Sequence, residues 1–430
     1  MNTPELLSPA GSLKHMRYAF AYGADAVYAG QPRYSLRVRN NEFTVEKLQQ
    51  AISEAHAAQK KFFIASNLLP HDNKVKNYLR DMTPIIEMQP DALIMADPGL
   101  IMLVREKWPE IPVHLSVQAN TLNSAAIKFW QSIGLTRVIL SRELSIDEIE
   151  RIRQQCPDME LEVFVHGALC IAFSGRCLLS GYFNHRDANQ GACTNSCRWK
   201  YDLHDAQENE TGEYEKTCSP NQESAYLLEE RERPDELMPI EEDEHGTYIM
   251  NSKDLRAVQH VQRLTEIGVD SLKIEGRTKS YFYAARTAQI YRQAIDDTVA
   301  GRPFNFALME SLDGLANRGY TEGFYRRHVP EDYQNYKSGN SNNYTQRFVG
   351  EPVSHNSEKG MLQIEVKNKV KVGDQVELML PEGSRKFTLE YMEDKQGQSI
   401  DVAPGSGLQV WIKIPADINP EYGLLIADTN

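Results

Sequence analysis

The stretch "AYGADAVYAG" (residues 21–30) decides the fold: a helix end, a glycine, a polar residue, then a short apolar run. The same grammar returns in "MQPDALIMAD" (88–97), "SIGLTRVILS" (132–141) and "EIGVDSLKIE" (266–275). A glycine at a helix C-terminus accepts the left-handed backbone that turns the chain toward a following strand. Alternating strand and helix units follow. Extended along the chain, the pattern puts strands at 4–8, 25–29, 61–66, 91–96, 112–117, 137–141, 160–166 and 270–275. Amphipathic stretches such as "SIDEIERIRQQC" follow most of them. Eight parallel strands with eight helices predict an α/β fold, a TIM-type (β/α)8 barrel over 1–335, although periodicity alone also admits an open doubly wound sheet.

From about 345 the pattern changes. "MLQIEVKNKVKVGDQVELML" and "LQVWIKI" alternate apolar and polar residues between Gly-Asp and Pro-Glu-Gly turns, which predicts a small antiparallel β-barrel over 345–430. Alternation puts Lys367, Lys369 and Lys371 on one face.

Composition is ordinary for a globular chain: 430 residues, 41% hydrophobic and 25% charged. No apolar run approaches the roughly 18 residues of a membrane span, and "MNTPE" lacks the basic start of a signal peptide. A cytoplasmic protein with no membrane partner is expected, and nothing in the sequence specifies an oligomeric state. The net charge of -13 is local: Tyr201 to Gly246 holds 16 Asp/Glu against 3 Lys/Arg, and the remainder balances. This stretch belongs to an acidic, Cys-containing insertion at about 168–247, after the seventh strand, which reads as a solvated excursion. The helix after the seventh strand is expected at about 252–267, with "NSKD" as its N-cap and "TYIM" as an accessory strand before it.

Active sites of such barrels lie at the C-terminal ends of the strands. Those ends offer Ser8, Arg33, Arg37, Asn67, Asp97, Gln118, Asn120, Arg142, Glu143, His166 and Arg277. Strand parity turns His114, Ser116 and Gln118 inward, as it does Glu162, Phe164 and His166, and Lys273 and Glu275. His166, Glu162, Lys273 and Glu275 are therefore candidates for acid–base work, with an internal salt bridge of Lys273 to Glu162 or Glu275 as the structural alternative.

"HGALCIAFSGRCLLSGYFNHRDANQGACTNSCRWKY" (166–201) holds Cys170, Cys177, Cys193 and Cys197, with six, fifteen and three residues between them. Four soft sulfur ligands on one segment suit an iron–sulfur cluster or zinc. Only the second pair has zinc-ribbon spacing, so the spacing fits a cluster better; unconnected buried thiols are the third reading. Cys156 closes a helix, and Cys218 is a second candidate for the fourth ligand. Arg198, Trp199, Lys200 and Tyr201 follow, and "PRYSLRVRNN" adds Arg33, Arg37 and Arg39. Basic residues interleaved with aromatics suit single-stranded nucleic acid.

"EVFVHGALCIAFSGRCLLS", "LLSPAG", "GADAVYAG", "SVQAN", "SLKIEGR" and "RGYTEGF" together resemble the collagenase-like peptidase family over essentially the whole chain. "PRYSLRVRNNEF", "DPGLIMLVRE", "GACTNSCRWKY" and "DEHGTYIMNSKDLRA" are most similar to a tRNA-hydroxylating bacterial group within it. That resemblance implies 5-hydroxyuridine formation at the tRNA wobble position, dependence on prephenate, and an anticodon loop as partner. It also implies a 4Fe-4S cluster on Cys170, Cys177 and Cys193, with Cys197 taken as the fourth ligand and zinc as the alternative. Arg37, Arg142 and Arg277 are natural partners for a dicarboxylate such as prephenate. Two other classes of function stand beside this one. A peptidase finds no HExxH or GxSxG motif here, and a noncatalytic RNA-binding or assembly factor would use the cysteines for structural zinc.

Overall fold

The computed structural model describes residues 2–36, 42–170, 172–180, 186, 188, 193–194, 197, 253–326, 346–415 and 418–428. It also describes the backbone of five strands between 206 and 248. Eight parallel strands close into a barrel: β1 (Glu5–Pro9), β2 (Ala26–Gly30), β3 (Lys61–Ser66), β4 (Ala92–Met95), β5 (Val113–Leu115), β6 (Arg137–Ile139), β7 (Glu160–Ala168) and a last strand, Ser271–Ile274. The last strand pairs with both β7 and β1, which closes the ring. The helices between them are α1 (Leu13–Ala21), α2 (Val45–Ala57), α3 (Asp72–Glu87), α4 (Pro98–Lys107), α5 (Ser124–Ser132) and α6 (Ile146–Gln155).

The repeated grammar of the sequence has a direct backbone counterpart. Gly23, Gly134 and Gly268 all take positive φ at the helix-to-strand junctions, and Gln89 takes that role (φ 58) in the repeat that lacks a glycine. Side chains of Ser12, Thr44, Asp97, Asn123 and Ser145 each accept a backbone N–H in the first turn of a helix.

The segment after β7 departs from expectation. Within the insertion run β8 (Ala206–Glu208), β9 (Tyr214–Lys216), β10 (Tyr226–Glu229), β11 (Leu237–Asp243) and β12 (Gly246–Tyr248). β12, from "TYIM", pairs with β11 and not with the barrel. "NSKD" is not an N-cap: β13 (Asp254–Arg256) runs antiparallel to the upper half of β7, and α7 starts only at Val261 (Val261–Ile267). The nine-residue β7 outruns the barrel, so its free upper edge recruits β13 where a helix was expected. The closing strand is then β14 (Ser271–Ile274), followed by α8 (Tyr281–Val299), α9 (Ala307–Asp313) and β15 (Tyr320–Thr321).

The C-terminal part realises the expected small antiparallel barrel as a curled sheet of seven strands: β16 (Gln346–Asn356), β17 (Met361–Lys371), β18 (Gln375–Met379), β19 (Arg385–Thr388), β20 (Met392–Glu393), β21 (Val402–Lys413) and β22 (Leu424–Asp428). It has its own core around Val366, Leu378, Val410 and Leu425. It is fastened to the barrel by Tyr22, whose hydroxyl donates to Met379 O and Tyr422 O (3.0 and 2.9 Å). A buried Arg286–Glu377 ion pair (3.1 Å) and stacked Phe282 and Phe348 add to the joint. Among the described residues no helix is long and apolar enough to cross a membrane.

Candidate active site at the barrel mouth

Inward parity on β6, β7 and β14 puts charge inside the barrel. Glu162 is fully buried and accepts from Lys273 Nζ (2.7 Å) and Arg137 Nη1 (3.1 Å). Arg137 also reaches Glu5 (2.6 Å) and Glu160 (2.8 Å), and Lys61 meets Glu5 (3.0 Å). Burial works against the Arg137 charge, and Glu162 and Glu5 overcome it, holding the guanidinium above its ordinary pKa. For Lys273 burial wins, and its pKa lies below the ordinary lysine value despite Glu162. His114 packs against the Phe63 ring (4.8 Å), is kept neutral by burial, and has no hydrogen bond at Nδ1 among the described residues. The salt-bridge alternative for Lys273 and Glu162 is thus the arrangement the structure holds.

Above this column lie two aromatic rings. Tyr28 sits against Lys273 Nζ (4.3 Å to the centroid) and Arg277 (5.5 Å); Phe164 sits against Arg142 (3.9 Å) and Lys273 (5.4 Å). Together they separate the column from the mouth. There Glu275 accepts from the Tyr28 hydroxyl (3.1 Å) and lies 3.9 Å from Arg142 Nη2. Arg277 donates to Ser35 Oγ (2.7 Å) and Leu36 O (2.9 Å). Arg142, Arg277 and Glu275 are therefore brought together, with Arg142 making no hydrogen bond among the described residues.

His166 is a correction. The pairing of β7 with β14 shifts register between Lys273 and Ile274, so His166 pairs beside Ile274 and turns away from the mouth. Its ring lies among Tyr283, Tyr291 and Tyr320, at 5.5–5.8 Å between centroids. Burial pushes its pKa down to about 3. Tyr291 donates to Val165 O (2.7 Å), Tyr283 to Glu275 O (2.8 Å) and Tyr325 to Phe164 O (2.5 Å), so hydroxyls satisfy carbonyls at the bulge.

Other candidates separate. Arg33 is exposed and paired with Asp81 (2.6 Å) on α3. Asn120 donates its amide to Ser174 O (2.9 Å), and Gln118 lies against Gly175, so both hold the cysteine segment. Arg37, Arg39, Arg198 and Lys200 lie outside the described residues. Cys170 is exposed and Cys177, Cys193 and Cys197 are half-buried; all four are thiols, not disulfides. Their chemistry suits a soft metal centre, and their segment leaves the barrel from the C-terminal end of β7. Among the described residues no three His, Cys, Asp or Glu side chains converge as a ready ligand set. The fit to iron–sulfur or zinc is therefore one of donor chemistry.

Ser12 Oγ and His15 Nδ1 touch at 2.7 Å, but the hydroxyl is the N-cap of α1, and Nε2 meets a carbonyl, Lys279 O, instead of a carboxylate. That is a capped helix, not an activated nucleophile. Parity missed Arg137 and Tyr28 as parts of the site. Both stand at inward positions, of "RVIL" and "AVYAG", and carrying the alternation through those strands finds them.

The model of peptidase family U32 matches residues 11–335, and that of the family's C-terminal domain matches 344–426. The chain belongs to peptidase family U32. It is 60% identical to the tRNA hydroxylation protein P of Escherichia coli, over 99% of this chain and 97% of that one. To the tRNA hydroxylation protein P of Haemophilus influenzae it is 58% identical, over 98% and 96%. A third relative, the 23S rRNA 5-hydroxycytidine C2501 synthase of Escherichia coli, is 30% identical over 83% of this chain and 47% of its own.

Proposed function

We propose that this chain hydroxylates carbon 5 of the wobble uridine of tRNA, with prephenate as co-substrate and an iron–sulfur centre on Cys170, Cys177, Cys193 and Cys197. The observation that carries the reading is 60% identity, across nearly the whole of both chains, to a protein named for tRNA hydroxylation. A relative named for 5-hydroxycytidine formation supports the same ring carbon of a pyrimidine as the target. The expected setting is the cytoplasm.

Replacing C5–H by C5–OH adds one oxygen atom and withdraws two electrons from the base, so the reaction needs an oxygen donor and an electron acceptor besides the side chains. An iron–sulfur centre held by Cys170, Cys177, Cys193 and Cys197 would supply a route for those electrons. The protein's own groups do the rest. Arg142, desolvated on the face of Phe164, keeps its N–H groups for an anionic ligand, and Arg277 stands across Tyr28 from the column. Glu275 is held by Tyr28 as the carboxylate of the mouth. An anticodon base is unpaired, so drawing it toward this mouth costs little compared with opening a duplex.

The test is nucleoside mass spectrometry of tRNA from a strain lacking this gene and any redundant route. Complementation with wild type is expected to restore 5-hydroxyuridine, and Cys193→Ala is expected not to. Depleting prephenate should remove the nucleoside even with wild type present. Unchanged 5-hydroxyuridine in the deletion strain would overturn the proposal.

A further inference from the structure

We infer that Gly175 and Asn120 clasp the cysteine segment to the barrel, and that with Ser180 they are the positioning residues of the metal centre. The inference rests on the metal-centre reading above and assigns residues to it that are not ligands.

Asn120 ends the turn after β5 in a left-handed conformation (φ 51, ψ 53). Its amide donates to Gln118 O (3.0 Å) and, across to the cysteine segment, to Ser174 O (2.9 Å). The next residue of that segment, Gly175, has φ +73, and a Cβ on it would collide with Gln118 Oε1. The loop therefore lies directly on the C-terminal end of β5, two residues before Cys177. Ser180 is buried, and its Oγ stands 3.8 Å from Cys193 Sγ and accepts from Thr194 N (3.0 Å). Thr194 Oγ1 adds a second contact to Ser180 Oγ at 3.1 Å. Two ties result: the Cys177 turn to the barrel, and Cys193 to the Cys177 turn. A segment that must close around a centre loses conformational freedom, and both ties remove part of that freedom beforehand.

The experiment reconstitutes the purified full chain anaerobically with ferrous iron and sulfide. Iron, acid-labile sulfide and the visible spectrum are measured, followed by the rate of iron release to a chelator. Asn120→Gly keeps the left-handed backbone but removes the amide, Gly175→Ala fills the contact, and Ser180→Ala removes the hub. Outer partners of metal ligands typically change affinity about 10- to 100-fold, so release is expected to speed up by about that factor. The thermal midpoint of the metal-free chain should stay unchanged, since the clasp lies outside the core. Equal release from wild type and all three variants overturns the clasp. If wild type itself takes up no iron and sulfide, the metal-centre reading falls and the clasp with it, a failure seen in wild type and so distinct from the first.

Discussion

The barrel holds two charged regions stacked on one axis, and they differ in what they leave unanswered. In the lower one, Glu5, Glu160 and Glu162 face Arg137, Lys61 and Lys273, so opposite charges match one for one at 2.6–3.1 Å. At the mouth, Arg142 makes no hydrogen bond among the described residues, and its nearest approach to a carboxylate there is 3.9 Å, to Glu275. The same inward parity generates both regions. What separates them is closure: the lower column satisfies itself under Tyr28 and Phe164, while at the mouth the Arg142 guanidinium lies on a ring face, 3.9 Å from its carboxylate. Inward charge in a barrel is thus no mark of function until the balance of partners is known.

The two regions differ most in what they contribute to stability. Lys273→Met leaves Glu162 with one partner in a dry interior, and breaking such a pair costs about 3–5 kcal/mol. Chemical denaturation should show that loss, and the Glu162→Met/Lys273→Met double variant should recover much of it. A double variant as unstable as the single one would mean that the column is not a closed pair.

Arg142→Ala should do the reverse. The guanidinium is capped by a ring face and a carboxylate 3.9 Å away, so its removal is expected to leave the denaturation midpoint nearly unchanged. Hydrogen bonds to charged partners contribute about 1.5–3 kcal/mol, so kcat/KM for tRNA hydroxylation should drop by about 10- to 100-fold. Unaltered turnover would place the anion site elsewhere, for example on Arg37 or Arg39 of the sequence reading.

Most of the architecture was legible because its signals are local. A glycine after three of the helices, Gln89 after a fourth, and two-residue alternation within the strands place the eight strands to within about two residues. The four cysteines stand out by their spacing, and the structure starts their segment at the C-terminal end of β7. His166 was misread because alternation holds only while register holds, and one bulge in β7 reverses every inference beyond it. Nothing in "EVFVHGA" announces that bulge. Its stabilising hydroxyls come from Tyr283, Tyr291 and Tyr325, more than a hundred residues downstream. Asn120 was legible as a polar strand end but not as a clasp, since Ser174 and Gly175 reach it only through the fold.

That misreading gives a smaller, signed effect. His166 has a folded pKa of about 3 against an ordinary 6.5, so the unfolded chain binds its proton first. Its contribution to stability is full above pH 6.5 and falls as pH drops toward 3. Within that window the slope for one such site is about 1.4 kcal/mol per pH unit. His166→Phe should flatten the denaturation-midpoint curve between pH 6.5 and 4 by about that slope. A variant that tracks wild type would mean the imidazole meets water or an acid among its three tyrosines.

The smallest effect tests the layer between the two regions. Tyr28→Phe keeps the ring over Lys273 and removes only the hydroxyl that bonds Ile274 O and Glu275. A hydrogen bond of this kind contributes about 1 kcal/mol, so the stability loss should be near that value. The sharper consequence is at the mouth. Without the hydroxyl, Glu275 loses a hydrogen bond that orients its carboxylate, and the pH–rate profile of hydroxylation is the readout of that loss. If the profile keeps its shape while stability drops, Tyr28 belongs with the column as a lid on Lys273. If the profile moves while stability holds, the ring layer is the floor of the reaction site, and the boundary between the two regions runs beneath it.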